Sequence, residues 1–250
     1  MKTRTFSTAS AFTLVELLTV TVIIAILASL LMPVLSKITG GANSTRCAAN
    51  LRQIGTAMNA YANDHDDRLP GPLALVQYPG FGADAEADKG SLVRLLAKYL
   101  DVTERKDDSD RARATERANV FTCPSYERAV PRKDGPCYML NPEKMTGYGQ
   151  TPWGDVKVGG EEPLKRNVLT AWTEDTRAGR DQPVNVTQVW AVKDADQESF
   201  KEGEAKPDGH DKMAKLPVHA DHRNALFYDW HVAKMPLDDR EYTVKGKPDA

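Results

Sequence analysis

Residues 12–35 read "FTLVELLTVTVIIAILASLLMPVL", a run of 24 residues that carries a single charge, Glu16. As a helix such a run spans about 36 Å at ~1.5 Å per residue, enough to cross a hydrocarbon core of ~30 Å. The eleven residues before it contain Lys2 and Arg4 and no acid, which is how a secretory signal peptide begins. The run is longer than the roughly 7–15 residues of a signal's apolar region, and Glu16 lies inside it. A simple anchor accounts for the length but leaves the carboxylate unexplained, because an ionised group among lipid chains is costly and marks a site.

The overall composition hides this segment. With 250 residues, 41% apolar, 27% charged and a net charge of −2, the chain reads as an ordinary soluble protein. It lacks the basic excess that binding to nucleic acid demands, so no nucleic-acid partner is expected. Yet residues 101–117, "DVTERKDDSDRARATER", alone hold eleven charges. The average is of a membrane segment and a polar domain.

The stretch "AFTLVELL" resembles the processing site of type IV prepilins and type II secretion pseudopilins. The family pattern is a small residue, nearly always Gly, then Phe-Thr-Leu, one variable residue and Glu. Phe12, Thr13, Leu14 and Glu16 match, and Ala11 stands where Gly is usual. The resemblance implies cleavage by a prepilin peptidase between Ala11 and Phe12 and N-methylation of Phe12. It also implies assembly with other pilin or pseudopilin subunits on an inner-membrane platform, with Glu16 facing a neighbour's N-terminal amine. Pro33 falls where family members bend the helix; read from the residue alone, it equally ends the membrane helix, since proline removes a backbone donor.

Two further stretches carry the likeness. "CAANLRQIGTAMNAYANDHDDRLP" from Cys47 resembles the region after the membrane span in a large subgroup, and "VFTCP" at Val120–Pro124 is another of its fragments. That subgroup ends in His, nine residues, Asp-Gly and often His. Here His219, Asp229 and His231 match, with Trp230 in place of the Gly. What the resemblance implies is an α+β pilin-like fold, a long N-terminal helix packed on a small antiparallel sheet. The expected divisions are a leader at 1–11, a transmembrane and assembly helix at 12–35, a helix continuation at 36–64 and a periplasmic domain at 65–250. Lys2 and Arg4 ahead of the span agree with a leader held in the cytoplasm.

Periodicity fills in the rest. Cys47, Leu51, Ile54, Met58 and Tyr61 recur at helical spacing and predict one apolar face packed on a sheet. Gly40-Gly41 weakens the helix before it, and "ANDHDD" before Pro70 ends it. "SLVRLLAKYL" predicts a helix capped by Ser91. "NVFTC", "NVLTAW", "VNVTQVWAV", "NALFYD" and "HVAKM" read as strands. The last two predict a hairpin turning at Asp229-Trp230, with a looser turn or a shifted register because Trp stands where both turn residues need positive φ. The charged stretches 101–117 and 193–215 read as solvated surface.

Three cysteines leave an odd count. Outside the cytoplasm a disulfide is allowed, joining Cys123 to Cys137 or to Cys47, the alternative being three buried or free thiols; the subgroup's usual cysteine positions favour Cys47–Cys123. No CxxC spacing is present, which argues against zinc held by thiolates. His219, Asp221, His222, Asp229 and His231 are metal-ligand types, but hydrogen bonds that stabilise the hairpin are the plainer reading. "DADQES" from Asp194 starts like a calcium loop and lacks its Gly and closing Glu. No resident metal or cofactor is therefore expected, and no catalytic motif is present. The leading expectation is a non-enzymatic structural subunit in the membrane of a secretion or pilus system. The alternative is a membrane-tethered periplasmic binding or metal-dependent enzymatic domain, with the His/Asp hairpin as its site.

Overall fold

The computed structural model describes residues 13–81, 89–100, 102, 116–130, 135–142, 151–156, 161–169, 173–175, 180–182, 187, 189–200 and 205–237. Residues 1–12, which hold the expected leader and the expected cleavage pair Ala11 and Phe12, lie outside the described residues, as does most of the charged stretch 101–117. The chain divides into two compact units, Met1–Ala42 and Asn43–Ala250. One helix, α1 (Leu14–Asp64, 51 residues), contributes to both. It remains helical through Pro33 and through Gly40-Gly41, so Pro33 does not end it.

In the first unit, Leu14–Met32 form 19 residues of apolar helix, about 28 Å long. Its side chains have no cover: Leu14 is 80% exposed and Met32 73%. "VTVII" is rich in β-branched residues that favour strands in water. In a bilayer, a lone segment can satisfy its backbone only as a helix. The hydroxyls fold back the same way, with Thr21 donating to the Leu18 carbonyl (2.8 Å) and Ser29 to that of Ile26 (2.8 Å). This segment has the length and surface of a single-pass anchor.

In the second unit, the predicted stripe holds. Cys47, Leu51, Ile54 and Met58 are fully buried against a five-stranded antiparallel sheet. Its strands are β1 (Val76–Gln77), β4 (Tyr138–Leu140), β7 (Trp190–Asp194), β8 (His222–Phe227) and β9 (Val232–Pro236), in the order β1-β4-β7-β8-β9. Two short ribbons stand apart, β2 (Gly80–Phe81) with β3 (Glu116–Arg117), and β5 (Thr173–Asp175) with β6 (Arg180–Gln182). The fold is α+β, one long helix on a small antiparallel sheet, as expected. Helix α2 (Leu92–Leu96) starts at Ser91, whose hydroxyl accepts from the Arg94 amide (3.4 Å).

"NVLTAW" does not begin as a strand but within a 3₁₀ turn at Arg166–Val168, and its residues 170–172 lie outside the described residues. Three further local readings change. "NVFTC" is not a strand but a 3₁₀ turn at Asn119–Phe121, because Pro124 opens helix α3 (Pro124–Ala129) directly after it. The stretch 193–215 is not all solvated: Lys193, Asp194 and Asp196 are buried. Asp196 is matched inside, receiving two bonds from the Arg223 guanidinium (2.6 and 2.9 Å). Lys193 lies over the Trp190 ring at 4.5 Å, the geometry of a cation–π contact.

The third concerns the β8–β9 hairpin. Leu226 faces Val232 in register, the Phe227 amide donates to the His231 carbonyl (2.9 Å), and the Trp230 amide donates to that of Phe227 (2.9 Å). The loop is thus Tyr228-Asp229-Trp230, three residues rather than two. A three-residue hairpin loop needs positive φ only at its last position; that residue is Trp230, at φ 70°. Trp230→Gly and Trp230→Ala both remove the ring, but only glycine is at ease there. The glycine variant should be more stable than the alanine variant by about 1 kcal/mol in urea unfolding, the reverse of the usual order.

Candidate functional site

Two places carry chemistry, one in each unit. The first is the opening turn of α1. The Thr13 amide donates to Glu16 Oε2 (2.9 Å), the Thr13 hydroxyl donates to the same oxygen (2.7 Å), and the Glu16 amide donates to Thr13 Oγ1 (3.2 Å). This is a capping box, in which a Thr at the N-cap and a Glu three residues on satisfy each other's exposed donors. The signal Thr-x-x-Glu stands in the sequence, and reading Glu16 only as an intermolecular partner passes over it. Glu16 has a local task as well.

The second place is buried between α1, α3 and the sheet. Cys123 precedes Pro124, and a residue before proline is pushed into extended backbone; Cys123 takes φ −76° and ψ 123°. It meets Cys47 of the α1 stripe, and the structure joins the two in a disulfide with Cα atoms 5.0 Å apart. Cys137 is buried outside that bond.

His219 lies against the disulfide. Its Nε2 is 3.6 Å from Cys123 Sγ and 3.4 Å from Asp194 Oδ2, and its Nδ1 is 3.4 Å from Ser125 Oγ. Its ring stacks on His222 with centroids 5.2 Å apart. His222 in turn reaches Ser44 Oγ through Nε2 (2.9 Å) and Asp221 through Nδ1 (2.5 Å). The hydrogen bond from His222 holds the exposed Asp221 carboxyl below its ordinary value. Asp194 ends β7, accepts the Asn224 amide on Oδ2 (2.7 Å), and has no hydrogen-bond partner for Oδ1.

His219 is therefore not gathered with the other two residues of its motif. Strand β8, six residues or roughly 20 Å of extended chain, runs between it and the hairpin tip. At that tip His231 Nδ1 meets Asp229 Oδ1 (2.5 Å), and the His231 ring stacks on Phe227 at 4.3 Å. Asp229 and His231 brace the turn. The partners His219 does have, Asp194 and Ser125, were not seen as its partners in the sequence. The signal for Asp194 is that it shares a strand face with Val192 two residues earlier. The calcium-loop reading of Asp194 and Asp196 has no open loop to rest on, since both carboxylates are committed inside the sheet.

Burial sets the charge state of this pair. Loss of water raises the Asp194 carboxyl to about 7. Loss of water, and next the nearby His222, lower the His219 ring to about 4. A raised carboxyl keeps its proton in the folded state, so its stabilisation is lost as pH rises from 3.8 toward 7. A lowered imidazole stays neutral, so stability is lost as pH falls from 6.5 toward 4. In the oxidised protein the two slopes oppose each other over pH 4–6.5. Asp194→Asn removes one of them. Its unfolding free energy should fall as pH drops through that window, by up to about 1.4 kcal/mol per unit, while the wild type stays flat in urea titrations at the same pH values.

A long helix that exposes an apolar, capped N-terminal stretch and packs its second half on a small antiparallel sheet is the build of a pilin-like protein. No protein-family model and no solved structure matches the chain. Among curated proteins, it is similar to the competence protein ComGC of Halalkalibacterium halodurans. The two are 32% identical over 95 residues, which cover 38% of this chain and 92% of that relative. The chain belongs to the ComGC family of pilin-like proteins.

Proposed function

We propose that this chain is a pseudopilin or pilin-like structural subunit of a competence, type II secretion or type IV pilus-like system. It is made with the leader 1–11, cut by a prepilin peptidase before Phe12 and N-methylated there. It sits in the bacterial inner membrane through residues 12–35 with residues 65–250 in the periplasm, and from there enters a filament with other subunits on the assembly platform. The observation that carries this reading is the carboxylate of Glu16 in the first turn of an apolar helix with no cover of its own, joined to the likeness to ComGC. No catalytic step is proposed, because His219 and Asp194 are buried and present no face to a substrate.

The reading is tested first by mass. The mature protein should have 239 residues, eleven fewer than the 250 of the full chain, and should begin with N-methylated Phe12. A mature chain that keeps Met1, or one that begins beyond Ala28, overturns it.

Glu16 is tested by separating its two tasks. Gln at the third helical position still closes a capping box but carries no charge for a neighbour's amine. Glu16→Gln should therefore be cleaved and inserted normally and yet be recovered in sheared filaments at a small fraction of the wild-type level. Glu16→Ala loses both tasks. Filaments of Glu16→Gln at wild-type yield would show that the charge does not serve assembly.

A further inference from the structure

The disulfide, His219 and Asp194 make an arrangement that the pilin reading does not use. The sulfur atoms of Cys47 and Cys123 and a ring nitrogen of His219 all lie within 4.8 Å of one another, and all three residues are buried. Asp194 stands beside them, its Oδ2 3.4 Å from His219 Nε2, with its other oxygen unpartnered inside the protein.

We propose that, when the Cys47–Cys123 bond is reduced, Cys47, Cys123 and His219 bind a zinc-type divalent ion whose fourth position is filled by water, and that the disulfide is the oxidised, metal-free form of the same site. In a tetrahedral site, bond lengths of about 2.3 Å to sulfur and 2.0–2.2 Å to nitrogen and oxygen place nitrogen about 3.5 Å from sulfur and about 3.4 Å from oxygen. His219 Nε2 is 3.6 Å from Cys123 Sγ, so one edge of the tetrahedron is already set, while Asp194 Oδ2 reaches Nε2 (3.4 Å) but is not grouped with the two sulfurs. For Nε2 to bind metal, Nδ1 must carry the proton, and Ser125 Oγ at 3.4 Å is placed to receive it. A metal-bound imidazole is commonly oriented by such a partner. The absence of a CxxC spacing does not weigh against the site, because the fold brings together two cysteines 76 residues apart.

The exchange of states balances. A dithiol reductant passes two electrons to the Cys47–Cys123 bond, which breaks as the reductant closes its own disulfide. The two thiols then each release a proton to solvent as they bind the ion. Oxidation by a disulfide carrier takes the electrons back and expels the ion. Both cysteines are fully buried, and their chain neighbours Arg46, Thr122 and Pro124 line a groove of about 400 Å³.

The test uses the full chain in detergent, reduced with a phosphine and titrated with cobalt(II). The expected result is one equivalent bound, with the visible bands of tetrahedral cobalt and a thiolate-to-cobalt charge-transfer band in the near ultraviolet, both erased by zinc. The oxidised chain should show neither, and Cys137→Ala should behave as wild type. His219→Gln can still form the disulfide, so its folding is checked in the oxidised state; once reduced, it should bind at least ~10-fold more weakly. In the reduced wild type, zinc should slow alkylation of Cys47 and Cys123 and leave Cys137 unaffected. Lack of a charge-transfer band in the reduced wild type overturns the proposal. So does undiminished binding by His219→Gln, or zinc protection that spares Cys47 and Cys123. None of these readouts depends on filament assembly.

Discussion

The second unit is organised by the contact between α1 and strand β8, where the glycine of one meets a leucine of the other. A Cβ at Gly55 would stand 2.8 Å from Leu226 Cδ1, so the absence of a side chain lets Leu226 press against the helix backbone. Leu51, Ile54 and Met58 close around that point. Toward the helix's earlier residues, Ser44 takes His222 by its hydroxyl and Asn224 by its carbonyl (3.4 Å). The residues of β8 that face α1 are therefore His222, Asn224 and Leu226, polar at one end and apolar at the other. The contact fixes the register of the strand on the helix, because a slip of one residue turns Arg223 toward the helix.

That alternation has a cost on the other face. Arg223, Ala225 and Phe227 point away from α1 into a second buried cluster that includes Met139, Trp190 and Met213. A guanidinium there requires a full partner, since the desolvation of an unpaired buried charge is severe. Asp196 supplies it in bidentate form. The sheet is thus covered on both faces, with ionisable groups inside each covering. Lys193, Asp194, Asp196 and Arg223 therefore lie inside rather than on its surface.

This explains what could be read in the sequence and what could not. The stripe from Cys47 to Tyr61, the cap at Ser91, the strands β7 to β9 and the α+β class all follow from periodicity and turn chemistry, which are local. The apolar run before them was legible from length alone. Only the start of the charged stretch at 193–215 departs from the expected exposure, because Asp194 and Asp196 are paired across strands with residues near 30 positions away. His219 was singled out by its motif, yet its partners Cys123, Ser125 and Asp194 lie 96, 94 and 25 residues off. No spacing rule links them; the sheet order does. Asp229 and His231 were legible because they are two residues apart.

The capping box changes how Glu16 is to be understood in a filament. A naked carboxylate in lipid would be driven to any cation. Glu16 already accepts two hydrogen bonds from Thr13, so part of that drive is spent within the subunit. Both bonds fall on Oε2, and a carboxylate offers about four acceptor positions over its two oxygens. An arriving amine can approach Oε1 without dislodging Thr13. On the proposed reading, docking then adds a third bond and a charge pair while the first turn of the helix keeps its cap. The gain on assembly is smaller than for an unsatisfied charge, and the geometry is better defined, because the capping box holds the carboxylate in one place before the neighbour comes. A residue whose charge must be found by a partner inside a membrane benefits from being fixed in advance.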